Sequence, residues 1–172
     1  PPRPMLDGRG VSMKYIISFV FLAFFASNLV AQTASDTQEL PTDAVALWQE
    51  DHTTIFAASE VNLNEFVWIA RPVIVFADSE NDPNFRRQIE LLQERPEDLA
   101  ERDVVIITDT APRDPSEART RLRPRGFMLV LMGKDGEVEL RKPSPWSVRE
   151  ISRSIDKMPL RAQEVEDRRA TP

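Results

Sequence analysis

Three short apolar runs, rich in β-branched residues, mark the middle of the chain: Val73-Ile74-Val75-Phe76-Ala77, Val104-Val105-Ile106-Ile107 and Phe127-Met128-Leu129-Val130-Leu131-Met132. Continuous apolar runs of this length fit strands buried on both faces. Between the first two, Phe85, Ile89 and Leu92 recur at the spacing of one helix face, with Asp82 placed to cap the N-terminus and Pro83 suited to the first turn. Arg86 and Glu90 stand four apart on the wet side of this helix. Strand, helix, strand in so short a span implies a parallel pair. After the third run, Gly133-Lys134-Asp135-Gly136 reads as a tight hairpin turn. The next strand, Glu137 to Arg141, alternates as a half-exposed strand does, with Val138 and Leu140 on one face. Pro143 and Pro145 stop the sheet, and Ser147 with Glu150 forms a capping box. Val148, Ile151, Ile155 and Met158 then make a buried stripe, Pro159 closes the helix, and Arg161 to Pro172 reads as a frayed, charged tail.

Upstream the pattern changes. Lys14 precedes an apolar run from Tyr15 to Ala26, followed by Leu29-Val30-Ala31-Gln32. A basic start, an apolar stretch and a small-residue exit predict a secretory signal peptide over 13–31, cut after Ala31. Leu29 is large for its place three residues before the cut, and an uncleaved membrane anchor is the alternative. Met5 and Met13 are candidate starts, with residues 1–12 read as upstream and non-structural. Residues 32–60 are a polar spacer; Val45, Leu47, Trp48, Ile55 and Phe56 give a mildly helical pattern but no firm element. The domain is expected over 61–160, which leaves Trp48 outside it.

Composition removes whole classes of chemistry. The chain has 172 residues, 41% apolar and 29% charged, which suits one packed domain rather than several membrane spans. Its net charge of −6 argues against a general nucleic-acid binder. There is no cysteine, so disulfide exchange, thiol peroxidase chemistry, cysteine-ligated metals and a lipidated N-terminal cysteine are excluded. The single histidine, His52, rules out multi-histidine metal sites and reads as an ordinary surface residue. With only five glycines and no glycine-rich phosphate loop, nucleotide chemistry is disfavoured. No motif implies a cofactor.

The order of elements predicts an α/β, three-layer fold with a central mixed four-stranded sheet flanked by helices, similar to the thioredoxin-like fold. Leu63-Asn64-Glu65-Phe66 through Trp68, Arg71-Pro72, Val75-Phe76-Ala77, Gly126-Phe127, Leu131 to Gly136 and Met158-Pro159-Leu160-Arg161 resemble the bacterial family labelled domain of unknown function 4174, over about residues 61–165. A similar domain recurs in animal secreted matrix proteins of the coiled-coil-domain-containing group. The resemblance implies a thioredoxin- or peroxiredoxin-like relative, typically exported, with no accepted activity. In thioredoxins the Cys-x-x-Cys site opens the helix after the first core strand; here Asn81-Asp82-Pro83-Asn84 stands there, keeping the proline and lacking both sulfurs. The proline that precedes the third strand in thioredoxins has no match, since Phe127 or Met128 occupies its place.

Two polar constellations remain. Asp78-Ser79-Glu80-Asn81-Asp82 is an oxygen-rich run at the lost active-site position, which reads as a ligand or divalent-cation loop or, more simply, as a turn and helix cap. Arg119, Arg121, Arg123 and Arg125, with Arg113 nearby, suit capture of a carboxylate, phosphate or acidic glycan; the plainer reading pairs them with acids such as Asp109, Asp114 and Glu117. Trp68 and Trp146 are expected to pack in the core or its rim, sugar stacking being the lesser reading. The expectation is a periplasmic or secreted, non-catalytic binding or scaffold module, its partner an anionic envelope polymer or a protein, touching membrane only through an uncleaved signal segment. The alternative is a cysteine-independent enzyme or cation site built on the acidic loop.

Overall fold

A computed structural model describes residues 43–170; the stretch expected to be a signal peptide and the first part of the expected spacer lie outside the described residues. The elements run α1 (Ala44–Glu50), β1 (Ile55–Ala57), a 3-10 turn (Leu63–Phe66), β2 (Arg71–Phe76), α2 (Pro83–Gln93), α3 (Pro96–Ala100), β3 (Val104–Asp109), α4 (Glu117–Leu122), β4 (Met128–Met132), β5 (Val138–Lys142), α5 (Val148–Ile155) and α6 (Pro159–Ala170). The strands form one sheet in the order β1-β3-β2-β4-β5. β1 and β2 each pair with β3 in parallel, while β4 is antiparallel to both β2 and β5. This mixed sheet flanked by helices is consistent with a thioredoxin-like α/β fold.

The continuous apolar runs are explained by their neighbours. Every residue of β2 is buried, because the strand is central and both its faces are covered. Ile74, Phe76, Val105, Ile107, Val130 and Met132 face one core, with Trp48, Phe66 and Leu122. Val73, Val75, Val104, Ile106, Leu129 and Leu131 face the other, with Leu92, Leu99, Ile151 and Ile155. Alternate residues of each run therefore serve opposite layers.

The helices carry the expected caps. Asp82 accepts from the backbone N–H groups of Asn84 and Phe85, at 2.8 and 3.1 Å, with Pro83 at the start of α2. On α2 the exposed ion pair is Arg87–Glu90 at 3.1 Å rather than the expected Arg86–Glu90, one turn position away and worth little either way. At α5 Ser147 and Glu150 form the complete capping box. The backbone N–H and hydroxyl of Ser147 hold the Glu150 carboxyl below its ordinary pKa.

Three departures concern the ends of the domain. The sheet has five strands rather than four: β1, only three residues long, is too short to leave a period-two pattern. Trp48, expected outside the domain, is 3% exposed in the first core, and its indole N–H donates to the Val104 carbonyl at 3.2 Å. His52 is half-buried against it, ring centroids 4.3 Å apart. At the other end the expected frayed tail is the helix α6, and Arg161 within it is 2% exposed. Pro159 starts this helix instead of only ending α5, as proline's missing N–H permits in a first turn.

The hairpin is as read, with a refinement. Gly136 has φ +80°, and a side chain there would press on Val67, so glycine is required. The register slips beyond it: Leu131 faces Leu140 while Met132 faces Val138, so Glu139 is a bulge. The bulge breaks the expected alternation and leaves Val138 exposed.

Trp48→Ala is expected to destabilise the protein by about 3–5 kcal/mol in urea unfolding, the usual range for emptying a buried tryptophan site. A loss under 1 kcal/mol would mean that α1 is not part of the cooperative unit.

Candidate functional site

The acidic loop sits at the C-terminal end of β2, where folds of this class place ligands. Its groups are largely used in local structure. Asp82 caps α2, and Ser79 accepts from the N–H groups of Asn81 through its hydroxyl and Asp82 through its carbonyl, both at 3.1 Å. Asp78 is exposed and lies 3.8 Å from the Arg119 guanidinium; Glu80 is exposed. Among the described residues no three His, Asp or Glu side chains come together to hold a metal ion. Beside the loop, a shallow cavity of about 270 Å³ has only Asn81 in common with it; Pro83, Arg86, Arg87 and Glu90 form the rest of its wall.

The four arginines are not one patch. Arg119 is buried, with its Nε 2.8 Å from Asp109 Oδ1 and its Nη2 donating to the carbonyls of Ala77 and Asp109 at 2.7 and 2.8 Å. Its guanidinium lies over the Phe76 ring at 5.4 Å, and the Ser116 hydroxyl donates to the other Asp109 oxygen. This arrangement ties the ends of β2 and β3 to the start of α4. Arg119 is thus a structural ion-pair partner rather than a surface anion ligand. Arg121 turns to the opposite end of the sheet, where it donates to the Gly136 carbonyl at 3.0 Å and to Asn64 Oδ1 at 3.5 Å. Arg123 and Arg125 are exposed, Arg123 in a left-handed helix cap at φ +49°.

The opposite end holds two features that the sequence reading missed. The first is a charge cluster around Arg71, which opens β2 and is wholly buried. Arg71 meets Glu164 at 2.8 Å and the Arg102 carbonyl at 3.0 Å. Lys134 bridges Asp103 and Glu164 at 2.8 and 3.1 Å, and Arg168 reaches Asp103 at 3.3 Å. Arg161 extends the network to Glu164, Glu101 and Asp156. The Nε atoms of Arg71 and Arg161 are buried without a hydrogen-bond partner among the described residues. A cavity of about 300 Å³ opens beside the cluster, its lining including Arg71, Lys134, Asp135, Met158 and Pro159. Three of the stretches that carry the family resemblance, far apart in the chain, therefore meet at one place.

The second feature is Trp68. Expected to pack, it is 67% exposed, with backbone φ +64°. For an aromatic residue this left-handed conformation is a strained outlier. Fully buried Phe66 and Ala70 hold the chain on either side, and the Trp68 N–H donates to the Lys134 carbonyl at 2.6 Å. Only the positive φ and the exposure distinguish Trp68 from a core residue, and neither is written in local apolar periodicity. Trp146, by contrast, is half-buried at the rim as expected, its backbone bonded to Gln88 and its ring under Lys142.

Burial pushes the Glu164 carboxyl up, but its hydrogen bonds and charge interactions with Arg71 and Lys134 outweigh that and leave its pKa below the ordinary value. A lowered folded-state pKa stabilises above the unfolded glutamate value of about 4.3, and the gain is lost as pH falls through the lower folded value. Glu164→Gln is therefore expected to cost about 1.5–3 kcal/mol at pH 7 and to flatten the acid limb of stability below about pH 4.5; an unchanged acid limb would count against the pairing of Glu164 with Arg71 and Lys134. Trp68→Gly is expected to leave stability unchanged or raise it by up to about 1 kcal/mol, because relief of the left-handed strain offsets glycine's entropy. A larger loss would mean that the indole contributes packing.

No curated protein matches the chain. The family model described as domain of unknown function (DUF4174) matches residues 62–164, a span that takes in the acidic loop, the arginines, Trp68 and the charge cluster up to Glu164. The chain belongs to the DUF4174 family.

Proposed function

We propose that this protein is an exported, non-catalytic binding or scaffold module of the cell envelope, without thiol redox activity. The observation that carries the non-catalytic reading is the buried Arg119–Asp109 pair at the C-terminal ends of β2 and β3. In thioredoxin-like relatives that end of the sheet presents a reactive sulfur at a helix start. Here the chain has no cysteine, and the polar groups nearest the strand ends are engaged with one another. A reaction centre needs an activated group free to meet substrate. Asp109 accepts from Ser116, Ala111 and Arg119, and Asp82 is occupied as a helix cap.

Export rests on the basic, apolar and small-residue succession over 13–31. Fractionation of a Gram-negative host making the full chain tests it by intact mass. The expected product is a chain beginning at Gln32 in the periplasm or medium. An unprocessed chain held in the cytosol overturns the export reading, and an unprocessed chain in the membrane fraction supports the anchor instead of the cleaved signal.

A further inference from the structure

Among the described residues the large apolar side chains left exposed are Leu47, Trp68 and Val138, and the last two belong to one surface. The Trp68 N–H is bonded to the Lys134 carbonyl, and Val67 lies against Gly136, two residues before Val138. Val138 faces Met132 across the hairpin, and Met132 shares a core with Phe66 and Ile69 on either side of Trp68. Cross-strand partners share a sheet face, so Val138 lies on the face that the Trp68 segment covers. Glu65 on the 3-10 turn and Asp135, Glu137 and Glu139 on the hairpin are exposed around this apolar pair. None of the four carboxylates forms an ion pair among the described residues. The two cations nearest the turn are directed elsewhere: Lys134 holds Asp103 and Glu164, and Arg121 holds the Gly136 carbonyl and Asn64.

We infer that this acid-rimmed surface docks a basic segment of a protein partner, with a lysine or arginine side chain laid over the Trp68 ring. Charge complementarity selects the partner. Unpaired carboxylates around an apolar centre repel an anionic partner, and a neutral apolar one desolvates them without compensation. A cation compensates them, and indole is the aromatic ring that attracts a cation best. The acids are spread over the 3-10 turn, the hairpin turn and β5, and among the described residues no three of them gather to hold a metal ion. A bare ion also leaves Val138 and the indole face without apolar contact. A polypeptide that carries basic and apolar side chains in one segment meets both needs. Phe66 and Ala70 are fully buried on either side of Trp68, so the anchor is already fixed before binding and little freedom is lost. The inference rests on the binding-module reading and names the chemistry of its partner.

The test uses the full-length protein as recovered from the producing host. Phage-displayed random dodecapeptides are selected on the immobilised protein, and the most enriched peptide is titrated by fluorescence anisotropy. The expected result is enrichment of positively charged peptides that also carry apolar residues, with binding that weakens on added salt. Trp68→Gly, which keeps the left-handed backbone, should weaken binding at least about tenfold. A variant combining Glu65→Gln, Glu137→Gln and Glu139→Gln should also lose about tenfold and show a flatter salt dependence. Urea midpoints of the variants check that each remains folded. Enrichment of neutral or acidic peptides, or of nothing, overturns the assignment, as does a basic peptide that binds Trp68→Gly as tightly as wild type. Spermine covers charge without apolar contact: binding as tight as the peptide's, and equally lost in Trp68→Gly, overturns the choice of a protein partner. Sedimentation velocity covers a second copy: a wild-type oligomer that Trp68→Gly dissociates gives the surface to self-association and overturns it too. Export is read separately by intact mass. A processed chain outside the cytosol that fails these measurements loses only the partner assignment, and a cytosolic chain that passes them loses only the envelope location.

Discussion

A guanidinium with no exposure to solvent organises one end of this fold. Arg71 begins the central strand, directly before five more buried residues, so it cannot turn to water without moving β2. Desolvating a cation costs several kcal/mol unless opposite charge and hydrogen bonds compensate. The compensation comes from three directions: Glu164 on α6, the Arg102 carbonyl before β3, and Asp103 at 4.0 Å. Asp103 adopts φ +52° while its carbonyl accepts from the Arg71 N–H at 2.7 Å. Aspartate tolerates that region better than most residues. The α6 helix is mainly exposed and polar, with Arg161 as its one buried residue. Its attachment to the sheet thus owes more to ionic contacts than to apolar burial, and it depends on Arg71 being there to receive Glu164.

The same physics separates what the chain's pattern reveals from what it hides. Val73, Val104 and Leu129 announce strands because a two-sided sheet needs unbroken apolar runs. Asp82, Ser147 and Glu150 announce helix starts because capping is local and has few chemical solutions. α6 was not legible in this way. Its anchors are Arg161, Glu164 and Arg168, residues that read as solvated charge until a partner at Glu101, Arg71 or Asp103, some sixty or more positions away, is known. Trp48 was hidden for a related reason: the strand beside it, β1, is three residues long, and its indole partner is the carbonyl of Val104, far along the chain. Long-range pairing of short or charged segments leaves no periodic trace.

The candidate sites divide along the same line. The acidic loop was legible as a turn and cap, and Asp82 has that role. The arginine cluster was legible only as composition: alternate spacing along a six-residue helix sends Arg119 inward to Asp109 and Arg121 outward to Gly136. Proximity in sequence misled because a helix disperses neighbours around its axis, and only positions three or four apart share a face. The residues carrying the family resemblance behave in the opposite way. Arg71, Lys134 and Arg161 are scattered through the chain and converge in space, which their separate apolar or turn patterns could not express.

The two ends of the sheet consequently differ in kind. At the C-terminal ends of β2 and β3, Arg119 and Asp109 satisfy each other and close over the strand termini. At the opposite end, Arg71, Lys134 and Glu164 clamp α6, and the turn that supplies Lys134 also presents Trp68. Placing an indole in solvent at positive φ forgoes both relaxed backbone and apolar burial, and such strain persists only where the surroundings over-determine it. Here they do: Phe66 and Ala70 are fixed in the core, Lys134 is held by Asp103 and Glu164, and its carbonyl holds the Trp68 N–H. The buried charge cluster and the exposed aromatic are therefore mechanically continuous, since the residue that anchors the ionic latch with its side chain anchors the strained tryptophan with its backbone.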